Sequence, residues 1–247
     1  MLNTYDRDGV TVAELDRGPV NALDLELLGA LTAAFDRADS PVVLTGAGRT
    51  FSAGVDLRRI VEEPDSYVAE FLAALARAFL AVFTHPRPTV AAINGHAIAG
   101  GCLFALCCDT RVMSTGTIGL TELAVGVPFP RSALEIVRQP LGPASGRMVL
   151  RADTVERDEA LRLGVVDEIT EPAVLLDRAV ALASQLGSYP AAVYAATKRD
   201  LQQPALQAVS AGDDAAVTAA WSSPQTRQRL AGHLAALAGK PTTRTRA

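Results

Sequence analysis

The reading of the chain turns on Val90-Ala-Ala-Ile-Asn-Gly-His-Ala-Ile-Ala-Gly-Gly-Cys-Leu-Phe-Ala-Leu-Cys-Cys-Asp109. The short apolar run from Thr89 to Ile93 predicts a buried strand. Asn94 and Gly95 end it. Ala99, Gly100 and Gly101 then lead into a compact apolar segment, which reads as a helix as far as Cys108. The first N–H groups of a helix have no intrahelical partner, and the helix dipole adds positive potential there. Glycine lets a ligand come close to that backbone. The stretch therefore reads either as a main-chain site for an oxyanion or as a small-residue turn that packs a helix on a strand.

On the N-terminal side, Gly9 to Asp16 predicts a strand with Val10 and Val12 on one face. Asn21 is the expected cap of a helix over Asp24 to Ala38, whose stripe is Leu25, Leu28, Leu31 and Phe35. Ser40-Pro41 breaks it, and Val42-Val43-Leu44 predicts a buried strand. Gly46 to Leu57 reads as a long turn of small residues in which Ser52, Ala53 and Gly54 allow a close approach to the backbone. Asp56 is placed to cap a short helix from Leu57. Val68, Phe71, Leu72, Leu75 and Phe79 predict a helix over Asp65 to Phe83, halted at His85-Pro-Arg-Pro88.

On the C-terminal side, Thr110 to Met113 predicts another strand. Short apolar strands alternating with helices point to an α/β fold with a parallel sheet covered on both faces. Glu122 lies among Ile118, Leu120, Leu123, Val125, Val127 and Phe129. It is either solvated on a turn or held in an apolar pocket, where its pKa rises toward that of a general base at neutral pH. Beyond Pro130 the pattern is helical, with breaks expected at Tyr189-Pro190, Gln203-Pro204 and Ser223-Pro224. Val165 to Ile169 reads as a closing strand or an extended arm. The expected organisation is a core over residues 1–189, a C-terminal helical region over 190–238 that covers the site or docks on a neighbour, and a flexible tail over 239–247.

The net charge of −4 argues against nucleic acid as the main partner. Cys102, Cys107 and Cys108 lack metal-ligand spacing and read as core residues in a reducing compartment. Met1 to Arg7 is polar, unlike a secretory leader, and no apolar run of membrane-span length stands out. The expected setting is cytoplasmic, with no membrane partner. His85 and His233 read as exposed, His96 as structural and Trp221 as packing among the C-terminal helices. Ser52 has no His/Asp partner at a nucleophile's spacing. Lys198 and Arg199 read as phosphate contacts or as a solvated face.

Four blocks in order resemble the crotonase, or enoyl-CoA hydratase/isomerase, superfamily over about residues 9 to 200. They are Pro19-Val-Asn-Ala-Leu23, Phe51-Ser-Ala-Gly-Val-Asp-Leu57, Ala91-Ala-Ile-Asn-Gly95 through Ala99-Gly-Gly-Cys102 to Cys108-Asp109, and Ile118-Gly-Leu-Thr-Glu122. The resemblance implies a crotonase-like ββα-repeat spiral core with a C-terminal all-helical subdomain. It implies an acyl-CoA thioester substrate, with coenzyme A part of that substrate and no separate cofactor or metal. It implies N–H groups of Val55 and Gly100 as an oxyanion hole, and CoA contacts around Ser52, Ala53, Asp56 and Leu57. Leu103 and Phe129 border the acyl group, and a homotrimer or hexamer is the expected assembly.

Hydratases of this family carry a glutamate three residues after the oxyanion glycine; here that residue is Leu103. Leucine neither activates water nor delivers a proton. The remaining family glutamate is Glu122, a pattern that resembles the delta3,delta2-enoyl-CoA isomerase branch. The expected reaction is a double-bond shift by Glu122 alone. The alternatives are hydration, with water positioned by Glu122 alone or with Glu62, Glu63 or Asp65 as a second acid, and acyl-CoA binding without catalysis.

Overall fold

Two sheets share one winding chain in the computed structural model, which describes residues 1–238. The expected tail over 239–247 lies outside the described residues. The chain opens with β1 (Leu2–Arg7), β2 (Val10–Leu15) and α1 (Leu25–Arg37). Three strand–strand–helix repeats follow. They are β3 (Val42–Gly46), β4 (Thr50–Ser52), α2 (Leu57–Glu62) and α3 (Asp65–Phe83); then β5 (Thr89–Ile93), β6 (His96–Ile98) and α4 (Gly100–Cys107); then β7 (Thr110–Met113), β8 (Thr117–Gly119) and α5 (Glu122–Val125).

In each repeat the first strand enters one sheet and the second enters the other. The large sheet runs β1-β2-β3-β5-β7-β10, where β10 is Glu168–Ile169. It is parallel apart from the antiparallel β1–β2 pair. The small sheet runs β4-β6-β8-β9, where β9 is Thr154–Glu156. The strand-to-strand turns lie directly on one another. A Cβ on Gly95 would stand 2.0 Å from Arg49 O, and one on Gly116 (φ +87) 2.6 Å from Gly95 C. Asn94 crosses the same layer, donating from Nδ2 to Gly46 O at 2.7 Å.

The large sheet is buried on both faces, which explains the unbroken apolar runs of its inner strands. Val10, Val12, Val43, Val90, Ala92 and Val112 face α9 (Leu175–Gly187). The alternate residues, including Leu15, Leu44, Ala91 and Ile93, belong to the main core with α1, α3 and α4. α3 is apolar and long enough to pass for a membrane span, a feature the sequence reading overlooks. One face of it, including Val68, Phe71, Leu72, Leu75, Phe79 and Phe83, is buried in the core instead.

After α5 come α6 (Arg131–Leu141), α7 (Ser145–Arg151) and α8 (Arg157–Arg162); after α9 come α10 (Ala191–Ser210), α11 (Ala215–Ser222) and α12 (Pro224–Ala238). Some expectations are corrected, one alternative is settled, and strands are added. The polar segment Leu2–Arg7 is a strand; it is an edge, so its side chains stay mostly exposed. The long turn from Gly46 contains β4, and β6 and β8 are strands too short to leave a periodic signal. Val165 to Ile169 closes the large sheet, with Glu168 and Ile169 pairing β7 in parallel. Pro204 does not break α10. Lys198 and Gln202 are buried ahead of it, and Ala205 and Leu206 pack on the core after it, so packing carries the helix past the missing donor.

Lys198 is neither a solvated residue nor a free cation. It is 7% exposed, and its Nζ lies 2.9 Å from Asp109 Oδ1. Asp109 Oδ2 also accepts from Tyr194 OH and Thr89 N, each at 2.9 Å. This cluster ties α10 to the end of α4. Replacing Lys198 with alanine strips the carboxylate of its counter-charge and is expected to cost about 3 kcal/mol, the low end for a buried pair. Urea unfolding should show a lower midpoint at an unchanged slope; an unshifted midpoint would mean that Tyr194 and Thr89 suffice.

Candidate active site

Asn21 organises the first wall of the site. The expected helix cap is instead in the left-handed region (φ 50, ψ 49) and fully buried. The cap of α1 is Asp24, whose carboxylate accepts from Leu27 N at 2.9 Å. Asn tolerates this conformation because its short polar group bonds locally. Its Oδ1 accepts from Arg17 N at 3.0 Å, and its Nδ2 donates to Thr50 O at 2.7 Å and Ala47 O at 3.1 Å. Ser52 Oγ donates to Asn21 O at 2.8 Å and accepts from Gly54 N at 3.1 Å. The loop after β4 is thereby fixed to the segment before α1.

A single parallel bridge completes this wall. Leu23 N donates to Gly54 O at 2.8 Å, and Asp56 N donates to Leu23 O at 2.9 Å. These bonds occupy both backbone groups of Leu23 and turn the Val55 N–H to the opposite side, where it has no partner among the described residues. Asp56 caps α2 as expected, accepting from Arg58 N at 3.1 Å.

The second wall is the start of α4. Gly100 is its first residue, so its N–H has no intrahelical acceptor. Ala99 precedes it at φ 51, ψ −120, a region that glycine favours and that costs other residues on the order of 1–3 kcal/mol. Both its backbone groups are bonded: N–H to Gly119 O at 2.8 Å, and C=O to Leu103 N at 3.0 Å. The two walls touch. A Cβ on Gly54 (φ +82) would stand 2.8 Å from Ile98 O and 3.1 Å from Gly100 N, and one on Gly100 would stand 2.8 Å from Leu23 Cδ1.

Glu122 begins α5, three residues beyond the strand that Ala99 bonds. It is 7% exposed, and its buried Oε2 has no hydrogen-bond partner among the described residues. Burial pushes its carboxyl up to about 7; backbone N–H groups at Glu122 and Thr121 oppose the shift. Of the two readings of Glu122, the apolar pocket holds. Cys102, in the first turn of α4, is raised first by its own burial and then by the Glu122 charge.

Leu103 is 2% exposed, and Phe129 is also buried. Ala53 is exposed, while Asp56 and Leu57 are half-buried. Ser52 is fully buried, and the N–H of Ala53 is already bonded to Val20 O at 2.9 Å. Of the alternative acids, Asp65 bonds Arg227 at 2.8 Å, Glu63 lies 3.7 Å from Arg59 and Glu62 is exposed. Trp221 packs as expected and donates to Pro128 O at 2.8 Å, bracing the turn after Glu122. His96 is structural, its Nδ1 2.9 Å from Thr117 Oγ1. The exposed reading fails for His85, which is 2% exposed, edge-on to Phe35 and bonded to Ser40 O. His233 is half-buried.

α12 joins the two sides of the site. Arg227 donates to the carbonyls of Ile60, Val61 and Glu63 at 2.7, 3.0 and 2.8 Å, holding the end of α2. Arg229 lies over Gly126, at the end of α5. Asn21, Ala99 and Arg227 are the residues that sequence reasoning missed as site-builders. Asn21 sits directly after Gly18-Pro-Val, a turn context that favours a left-handed asparagine; the other two leave no local signal. A separate cavity of about 650 Å³ opens at the other end of α4, lined by Phe83, Leu106, Asp109, Tyr194, Lys198 and others. None of Val55, Gly100 and Glu122 borders it, and Asp109 already pairs its lysine, so it is not the candidate site.

Residues 6–235 match the enoyl-CoA hydratase/isomerase family. The chain belongs to that family. A Thermus thermophilus protein named as an enoyl-CoA hydratase is 37% identical over 67% of this chain and 69% of its own length. The mitochondrial enoyl-CoA delta isomerase 1 of Mus musculus is 34% identical over 68% of this chain and 62% of its own, less than two thirds of that relative. The solved human mitochondrial delta3-delta2-enoyl-CoA isomerase superposes with a TM-score of 0.92, covering 98% of this chain and 99% of that one at 26% identity. The α/β architecture is the crotonase fold, with the C-terminal helices α10 to α12 added to the spiral. Relatives carry both activities in their names, so membership fixes the family and leaves the reaction to the site.

The state of Glu122 has a measurable consequence. Its folded pKa of about 7 stands above the ordinary glutamate value of 4.5, so burial favours the neutral acid. Its contribution to stability is full below about 4.5 and is lost as pH rises through about 7. The Glu122→Gln variant, neutral throughout, is expected to be more stable than the wild type at pH 8 by up to about 3 kcal/mol. The difference should vanish below about pH 4.5. Parallel thermal-unfolding curves at both pH values would contradict the buried placement.

Proposed function

We propose that this chain is an enoyl-CoA isomerase that shifts the double bond of a 3-enoyl-CoA to give trans-2-enoyl-CoA. Glu122 removes a proton from C2; the C–H pair forms a C1–C2 double bond, conjugated with the one at C3–C4, as the carbonyl pair moves onto the thioester oxygen. The Val55 and Gly100 N–H groups hold that dienolate oxygen. Protonated Glu122 returns its proton at C4, and the 2,3 double bond forms as the oxyanion collapses. One such donor contributes roughly 3 to 4 kcal/mol in the transition state. The reaction exchanges no electrons with a cofactor and needs no metal; the coenzyme A portion belongs to the substrate, with contacts proposed around Ser52, Ala53, Asp56 and Leu57.

The observation that carries this reading is one buried carboxylate, without a partner among the described residues, that follows by three residues the strand to which the start of α4 is hydrogen-bonded. A carboxylate whose pKa is about 7 is balanced between taking and returning a proton at neutral pH. Leu103 supplies no second acid and keeps the pocket dry. The engaged or exposed states of Glu62, Glu63 and Asp65 also favour a single shuttle. The relative named as a hydratase favours the second reading, in which Glu122 alone orients water.

With 3-hexenoyl-CoA, Glu122→Gln is expected to lose about 10²- to 10⁴-fold in kcat, the scale of one acid–base group. A variant as fast as wild type sinks the mechanism. Hydration of crotonyl-CoA by the wild type at a rate matching isomerisation decides for the hydratase reading. Tight acyl-CoA binding with neither turnover decides for a binding protein.

The proposed assembly is a homotrimer or hexamer, and the free buried thiols suit a reducing, cytoplasmic setting. The face of α10 supports association, since Val193 and Leu201 are exposed beside Tyr189. Val193→Asp should shift the mass measured by light scattering toward the monomer. An unchanged mass would remove this face from the interface.

A further inference from the structure

We propose that Ala99 is a positioning residue whose methyl group sets the separation of the two donor-bearing loops. The inference rests on reading Val55 and Gly100 as the oxyanion donors. Ala99 stands at φ 51, ψ −120, where glycine is at ease and alanine is strained. The strain comes with one extra atom, the β-carbon. That atom lies against Gly54, the neighbour of Val55: a Cβ on Gly54 would stand 3.1 Å from the Ala99 Cβ. The same Cβ would also stand 2.8 Å from Ile98 O and 3.1 Å from Gly100 N, so the loops meet through the Ala99 methyl and the backbone beside it.

The backbone of Ala99 ties in the rest of the site. Its peptide leads directly to the Gly100 N–H. Its C=O accepts from Leu103 N at 3.0 Å, starting α4, and its own N–H donates to Gly119 O at 2.8 Å. Gly119 pairs Ile98 and ends the strand that delivers Glu122. One residue therefore touches the first donor loop through its side chain, the second donor through its peptide, and the strand before the base through its N–H. Ala99 acts through these neighbours and carries no reacting group.

Ala99→Gly separates positioning from folding, because it removes the methyl while relieving the backbone. Its melting temperature should equal or exceed that of wild type. Its kcat for 3-hexenoyl-CoA should fall about tenfold with KM nearly unchanged, since small displacements of a catalytic group act on the transition state. Ala99→Ser keeps the β-carbon and should retain most of the wild-type kcat. Wild-type kcat in Ala99→Gly overturns the proposal. So does an equal loss in Ala99→Ser, or a loss that tracks a fall in melting temperature. Exchange of the C2 protons of butyryl-CoA in D2O, measured on the same proteins, reads enolate formation without a double-bond shift. Failure of Glu122→Gln to slow exchange overturns the underlying site; exchange slowed by Glu122→Gln but not by Ala99→Gly overturns only the role of Ala99.

Discussion

Everything at the site depends on how closely one turn of the chain can lie on the next. Gly95 rests against the backbone of Arg49 and Gly116 against that of Gly95, with no space for a side chain between them. Asn94 then bonds across the layer to Gly46 and Gly48. This spacing is what allows the loops around Gly54 and Gly100 to meet backbone to backbone. N–H groups presented in this way have no rotamers to lose and no proton to titrate. Their orientation is set when the chain folds, before any charge has to be stabilised.

Glu122 is the counterweight to that rigidity. A carboxyl enclosed by apolar groups, with an oxygen left without a partner, is a cost to the fold. The same cost raises its pKa to about 7. The bracing around it explains how the cost is tolerated. Trp221 bonds the carbonyl of Pro128, and Gly126, in the left-handed region, ends α5 beneath Arg229. Strain at Ala99 and desolvation at Glu122 thus stand on either side of one hydrogen bond, Ala99 N–H to Gly119 O. Local rules are broken most clearly where chemistry is expected, which is the usual place for such violations.

The parts of this fold that are legible in the sequence have a repeating pattern of burial. The helix over Asp65–Phe83 has its predicted bounds because its apolar stripe runs unbroken between two prolines. The buried strand Thr89–Ile93 is equally plain, and the glycine pair at Gly100 marks a helix start correctly. β4, β6 and β8 are three residues each, too short for any period, and they take their shape from neighbours rather than from themselves. Of the site, Glu122 is visible as an acid in apolar company, yet its burial needs the fold around α5, which packs against α7 and α12. Asn21 is misread because a residue that suits a helix cap also suits a left-handed turn. Lys198 is misread because a lysine on a helix looks solvated until Asp109, distant in sequence, is brought against it.

The Arg227 clamp has a bearing on how the protein comes into being. Three carbonyls at the end of α2 wait for a guanidinium that lies 164 to 167 residues further along the chain. During synthesis the spiral can close its sheets from contacts already made, while α2 stays without its anchor until α12 has left the ribosome. Pairings of such long range form late, after the entropy of closing the intervening chain has been met. The core itself includes Trp221 of α11 and Leu230 of α12, so core and pocket are completed together, when the last helices arrive.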